Sequence, residues 1–237
     1  MTSGFSSEPQ KADHLESAFL LNPSFALELD LISRGYHIIA GVDEAGRGAL
    51  AGPLSLGLTM FSTEFIHNPD KIFLTGINDS KLLTPNKREK ALAIIGSRCL
   101  LSTATMVSHR IIDSLNINGA TEFALKKLLS GISIKPDIVI MDGNFKFDIG
   151  MPYMAVKKGD RKSLSIASAS IAAKVARDHI MDKFEDIYPG YDFRGNKGYG
   201  TRRHCESLKL KGPCPIHRKS YEPVKSLLSL ERNRIEL

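Results

Sequence analysis

The segment Gly41-Val42-Asp43-Glu44-Ala45-Gly46-Arg47-Gly48 constrains this chain most, because two adjacent carboxylates end an apolar run and lead directly into a glycine-rich turn. The run from His37 to Val42 reads as a strand buried on both faces. An ionised carboxylate at the end of such a strand is costly unless a cation or hydrogen-bond donors compensate it. Positive charge is therefore expected beside Asp43. Gly46-Arg47-Gly48 offers bare amides, positive-φ geometry and one guanidinium, a combination suited to a sugar-phosphate backbone. A tight hairpin with a solvated Asp43-Glu44 pair fits the same residues, and this stretch alone does not choose between the two.

The 237 residues are enough for one large core, and a formal charge of +6 with a pI near 9.2 is compatible with a polyanionic partner. No run approaches the roughly 18 apolar residues of a membrane span, and the first residues lack the basic start and apolar centre of a signal peptide. A cytoplasmic chain that meets no membrane is expected. Cys99, Cys205 and Cys214 are odd in number and form no Cys-x-x-Cys, which argues against a disulfide framework. His204-Cys205 with Cys214-Pro215-Ile216-His217 imitates a zinc site, but only one spacing fits and a core of this size needs no metal staple.

Residues 1–36 read as a leader, with a short helix starting at Asn22-Pro23 and ending at Gly35. Strands are expected at His37 to Asp43 and Leu54 to Phe61, an antiparallel pair, and at Cys99 to Val107. Thr84-Pro85 opens a helix to about Ser97. Ser108 and Asn118 each cap a helix, the second carrying Phe123, Leu125, Leu128 and Leu129 on its apolar side until Gly131. Asp137 to Met141 reads as a parallel strand delivering Asp142 at its carboxyl end, where ligand sites of α/β sheets gather. Tyr153 to Val156 forms another strand, followed by Lys158-Gly159-Asp160. Ser163 or Ser165 caps a long helix with Ile166, Ala169, Ala173, Ala176, Ile180 and Phe184 on one stripe, mostly small enough to pack close to a sheet. Thr201 opens a basic helix to Leu210, and Pro223 to Glu236 forms a terminal helix, with 225–237 as a tail beyond a main domain of 37–224.

Asp43, Glu44, Asp142 and Asp160 each fall at or just after the end of an expected strand. Gathered by a sheet, four carboxylates raise one another's pKa unless divalent cations join them. An oxygen-only ligand set suits Mg²⁺ or Mn²⁺.

The glycine-turn segment is similar to the signature of bacterial ribonuclease HII, a type 2 ribonuclease H. Further blocks match in order: Asn78-Asp79-Ser80-Lys81, Met141-Asp142-Gly143-Asn144, Lys158-Gly159-Asp160, the Ala-Ser helix to Lys174-Val175-Ala176-Arg177-Asp178, and Tyr188-Pro189-Gly190 through Lys197-Gly198-Tyr199-Gly200-Thr201 to Pro215-Ile216-His217-Arg218. The resemblance implies an α/β ribonuclease H-like fold, a central mixed five-stranded sheet flanked by helices with a small helical C-terminal part.

It also implies an endoribonuclease that hydrolyses the RNA strand of RNA-DNA hybrids and cuts 5′ of single ribonucleotides in duplex DNA, leaving 5′-phosphate and 3′-hydroxyl ends. Asp43, Glu44, Asp142 and Asp160 are the implied catalytic ligands of two divalent ions, Mg²⁺ or Mn²⁺; the division of labour expected among them, Asp43 bridging and Asp142 on the nucleophile side, is our own assignment. Gly46, Arg47 and Gly48 are implied to read the 2′-hydroxyl, and Tyr199 to stack on the neighbouring deoxyribose. Lys81, Lys158, Lys174, Lys197, Arg202 and Arg203 are candidate phosphate contacts, Lys81 and Lys197 foremost because they lie inside matched motifs, with a solvated charged face as the alternative for most; Ser163 and Ser165 offer hydroxyls at a helix N-terminus. Ser168 departs from the family pattern, which commonly has alanine there. The sister ribonuclease HIII carries a sizeable N-terminal substrate-binding domain, for which 36 residues before His37 are too few. A monomer is expected. A catalytically silent hybrid-binding protein is the alternative, against which the intact acidic quartet argues.

Overall fold

The computed structural model describes residues 23–77 and 83–235. A five-stranded sheet forms its centre: β1 (Ile39–Ala45), β2 (Leu54–Met60), β3 (Leu101–Val107), β4 (Ile138–Asp142) and β5 (Tyr153–Val156). Its spatial order is β3-β2-β1-β4-β5. β1, β2 and β3 are antiparallel neighbours, whereas β4 and β5 run parallel to β1, which is the expected mixed sheet.

Helices α1 (Ala26–Ser33), α2 (Thr63–His67), α3 (Lys71–Gly76) and α4 (Pro85–Gly96) belong to the first half of the chain. α5 (His109–Gly131) and α6 (Leu164–Ile187) cover opposite faces of the sheet. After α6, the helices α7 (Phe193–Asn196), α8 (Arg202–Lys211) and α9 (Val224–Ile235) form the helical C-terminal part around Tyr191, Phe193, Leu208 and Val224. Among the described residues, no helix is long and apolar enough to cross a membrane.

Strand alternation divides the two faces. Ala40 and Val42 of β1 join Leu54, Leu56 and Leu58 of β2 in the core beneath α5. Gly41 and Asp43 turn the other way, toward α6. A Cβ on Gly41 would lie 2.2 Å from the Ser165 carbonyl carbon, and one on Gly57 would lie 2.1 Å from the Ala169 carbonyl oxygen. Bare strand positions therefore let the backbone of α6 rest against the sheet, and the small residues expected on this helix supply the other half of that contact.

Three local expectations differ from what folds. β1 extends through Ala45, so both acids lie within the strand, because pairing with β2 continues to Ala45↔Ser55. The second segment of α5 is capped by Asn116 rather than Asn118: Asn116 adopts φ 56° and its side chain accepts from the amides of Asn118 and Gly119. This break aims Ala120, Ala124, Leu125 and Leu128 at the core and leaves Phe123 44% exposed. On α6 the buried stripe runs through Ala173, Arg177 and Met181, with Ala176, Ile180 and Phe184 half-buried. The expected caps Thr84, Ser163 and Thr201 all accept the amide three residues on. Asn22 and Lys81 lie outside the described residues.

Gly57→Val should lower the unfolding free energy by about 3 kcal/mol, read as a sharply lower urea midpoint, because its side chain meets helix backbone that cannot turn aside. Gly96→Ala, where a Cβ meets nothing within 4 Å, should be neutral or slightly stabilising in the same titration.

Candidate active site

Parallel pairing of β1 with β4 runs from Ile39↔Ile138 to Val42↔Met141, so Asp43 and Asp142 occupy the next level on the same face. Asp160 arrives from the 3₁₀ turn Gly159–Arg161 that follows β5. Carboxylate oxygens of Asp43, Asp142 and Asp160 all lie within 4.8 Å of one another. Asp43 and Asp160 are buried. The Gly159 amide donates to Asp142 Oδ1 at 2.6 Å, tying the turn that carries Asp160 to β4.

Asp43 is held well above the usual carboxylate range, first by burial and then by the charge of Glu44, with Asp142 adding to it. The Ser170 hydroxyl and the Glu44 amide, the latter 2.7 Å from Asp43 Oδ1, pull it back in part. No guanidinium or ammonium of the described residues stands among these influences. Among the described residues, the positive charge expected beside Asp43 does not come from a side chain named among those influences. Three converging oxygen donors with excess negative charge fit a hard divalent cation.

Glu44 points to the opposite face of β1, the side of Val42 and α5. Its Oε1 is 3.9 Å from Arg47, and its charge helps burial push Tyr153 up to about 12. Arg47 follows it to that face: its guanidinium donates to Asn118 and Thr121 and lies 4.5 Å from the centre of the Phe145 ring.

Two fully buried arginines, which the sequence reading did not single out, shape the glycine loop. Arg177 Nε donates to Pro53 O at 2.9 Å, Nη2 to Ala51 O at 3.1 Å, and Nη1 to Lys197 O at 2.8 Å. Arg218 donates to Gly46 O at 2.6 Å and to Arg47 O at 2.8 Å. Burial lowers the Arg177 pKa to about 10, which still leaves it charged at neutral pH. A Cβ on Gly46, at φ +90°, would sit 1.9 Å from Arg177 Nε. Gly48 is exposed, and a Cβ there would meet nothing within 4 Å, so no packing inside the protein demands its glycine. Arg177 had one readable signal, its place four residues after Ala173 on the inward side of α6.

Tyr199 joins this loop, its hydroxyl accepting from the Gly46 amide at 3.2 Å while its ring remains 37% exposed. The Arg177 guanidinium lies 5.4 Å from the ring centre and Lys174 Nζ 5.9 Å. Lys197 adopts φ 51° and pairs its ammonium with Asp182. Ser163 and Ser165 are fully buried, and the Ser163 hydroxyl donates to Glu28 at 2.6 Å. Their hydroxyls therefore face the interior instead of an exposed anion site.

The residues that imitate a zinc site form a hydrogen-bond chain. Burial lowers His217 to about 4 and pushes His204 down as well, so both rings are neutral. His204 Nδ1 must donate to Tyr199 O at 2.9 Å, leaving its Nε2 to accept from His217 Nε2 at 3.0 Å. His217 Nδ1 then accepts the Cys214 amide at 3.0 Å. Among the described residues, the aspartate trio is the only set of three or more acidic, histidine or cysteine side chains close enough together to hold a metal ion.

Asp43→Asn should stabilise the metal-free protein at pH 8 by about 2–4 °C, roughly the effect of 1 kcal/mol in a chain this size. A carboxylate whose folded pKa is raised contributes its stability at low pH and loses it as pH rises through that value. The gain should therefore shrink toward pH 5 in calorimetric scans with chelator present.

The family model described as ribonuclease HII matches residues 40–224. The chain is 45% identical over 197 residues to the ribonuclease HII of Caldicellulosiruptor saccharolyticus, covering 83% of this chain and 93% of that protein. It is 44% identical over 206 residues to the ribonuclease HII of Acholeplasma laidlawii, covering 86% and 97%. The crystal structure of ribonuclease H2 from Pyrococcus horikoshii superposes with a TM-score of 0.69 at 26% identity, over 82% of this chain and 99% of that one. With sheet order, acidic trio and matched residues in agreement, the chain belongs to the ribonuclease HII family.

Proposed function

We propose that the protein hydrolyses the RNA strand of RNA-DNA hybrids and cuts 5′ of single ribonucleotides embedded in duplex DNA, leaving 5′-phosphate and 3′-hydroxyl ends. The observation that carries this reading is the convergence of Asp43, Asp142 and Asp160 within 4.8 Å, beside the end of β1 that continues into the glycine loop. Two Mg²⁺ or Mn²⁺ ions, when bound, supply activation of the attacking water and neutralisation of charge at the phosphorus. Asp43, Asp142 and Asp160 would hold them, whereas Glu44, expected as a fourth ligand, faces the other side of β1 and bears on the site through its charge beside Asp43.

Everything else falls to the protein's own groups. Gly48 leaves backbone open, so a sugar can approach the loop closely enough for its 2′-hydroxyl to meet backbone groups. Arg218 and Arg177 occupy the carbonyls of Gly46, Arg47, Ala51 and Pro53, which sets the loop's shape before substrate arrives. Tyr199, pinned to Gly46, holds its half-exposed ring at a fixed distance from that loop. Stacking on the adjacent sugar favours one without a 2′-oxygen, which would select an RNA-DNA junction. Lys158, exposed at the turn before Asp160, is placed for a phosphate.

Purified protein should cut a duplex carrying one ribonucleotide and a uniform hybrid, but not an all-DNA duplex, only when Mg²⁺ or Mn²⁺ is present. Asp160→Asn should lose about a hundredfold or more in rate. Tyr199→Ala should lose about tenfold on the single ribonucleotide, the size of one stacking contact, with Mn²⁺ binding unchanged. Hybrid binding without cleavage at any metal concentration would instead favour a silent binder.

A further inference from the structure

Glu28 lies on α1, outside the residues that the family model matches, and is fully buried. Its Oε1 accepts from the Ser163 hydroxyl at 2.6 Å and from the Ser165 amide at 3.0 Å. Ser24, just before α1, adds two backbone bonds: its amide donates to Lys162 O at 3.3 Å, and its carbonyl accepts from the Leu164 amide at 3.1 Å.

The first amides of a helix have no intrahelical acceptor and need partners from elsewhere. On α6 these are the amides of Leu164, Ser165 and Ile166. Ser24 O takes the first, Glu28 the second, and Ser163 Oγ the third, at 3.1 Å. Two of the three acceptors thus come from the segment preceding the sheet. The end of the helix where a phosphate would be welcome is already filled by a carboxylate of the chain itself. Helix capping alone does not call for this acid, since Ser163 caps locally and a buried carboxyl carries a desolvation cost.

Position is what the acid adds. The amides of Lys162 and Ser163 both donate to Gly159 O at 2.9 Å, and the Gly159 amide donates to Asp142 at 2.6 Å. A continuous run of hydrogen bonds therefore leads from Glu28 through Ser163 and Gly159 to Asp142, with Asp160 inside it.

We infer that Glu28, with Ser24, is a positioning residue that fixes the 159–165 segment and thereby keeps Asp160 in register with Asp43 and Asp142. Divalent-cation affinity then depends on a side chain of α1 that touches no ion. This rests on the reading of the aspartate trio as a metal centre.

The test is calorimetric titration of the whole protein with Mn²⁺ alone, alongside hydrogen exchange over residues 159–165. Glu28→Ala should bind Mn²⁺ about tenfold or more weakly, the size of effect typical of groups that orient metal ligands, and exchange faster across 159–165. Glu28→Gln, which keeps an oxygen in the place where both hydrogen bonds land, should stay within about threefold of the parent. If Glu28→Ala does not fold, Ser163→Ala, which removes the hydroxyl that meets Glu28 together with its cap on Ile166, should shift Mn²⁺ affinity in the same direction, whereas Ser163→Thr, which keeps that hydroxyl, should not. Unchanged exchange over 159–165, or Mn²⁺ affinity within about twofold of the parent while Asp160→Asn abolishes binding, would overturn the inference. If the parent itself binds no Mn²⁺, the metal-centre reading falls, and faster exchange in Glu28→Ala would still sustain the positioning of the segment.

Discussion

Helix α6 can rest on β1 and β2 only because Gly41 and Gly57 present no side chain to it and Ala169 and Ala173 present almost none. Much of the site follows from that contact. At this range the helix brings Ser170 to the carboxylate of Asp43, Arg177 beneath the glycine loop, and its own first turn beside the segment that carries Asp160. A larger residue at either strand position would move all three together, since they share one rigid helix.

Charge is separated on a short length scale around this helix. On one side, carboxylates of Asp43, Asp142 and Asp160 crowd one another, and the repulsion that raises the Asp43 pKa is one that a divalent ion can relieve. On the other, two buried guanidiniums direct their donors at backbone carbonyls, so their charge is held in place by the loop itself. Arginine suits that role because its planar fork reaches several carbonyls at once and stays protonated when buried. The glycine loop between them is therefore shaped from below while its outer backbone at Gly48 stays open.

Local signals in the chain were legible wherever partner and residue are neighbours in sequence. Thr84, Ser163 and Thr201 cap helices as their positions suggest, because a cap is a contact between a residue and the amide three places on. Asn116 escaped the same reasoning because its cap depends on a break within one apolar pattern, which the sequence alone spreads over several candidate residues. Arg177, Arg218 and Glu28 escaped it for a different reason. The arginines act on backbone carbonyls of a distant loop, Glu28 on a distant hydroxyl and amide, and such partners leave no pairwise mark in side-chain types.

By itself, then, the sequence determined which residues are chemically equipped: carboxylates at strand ends, a glycine turn, and a tyrosine between glycines. These follow from side-chain chemistry and from periodicities a few residues long. Tertiary structure decided which of them meet. Parallel register between β1 and β4 sets Asp43 beside Asp142, strand alternation sends Glu44 to the other face, and the strap from Ser24 and Glu28 turns Ser163 and Ser165 inward. Each of those outcomes depends on contacts between segments far apart in the chain, whose geometry exists only once the sheet and helix α6 have packed.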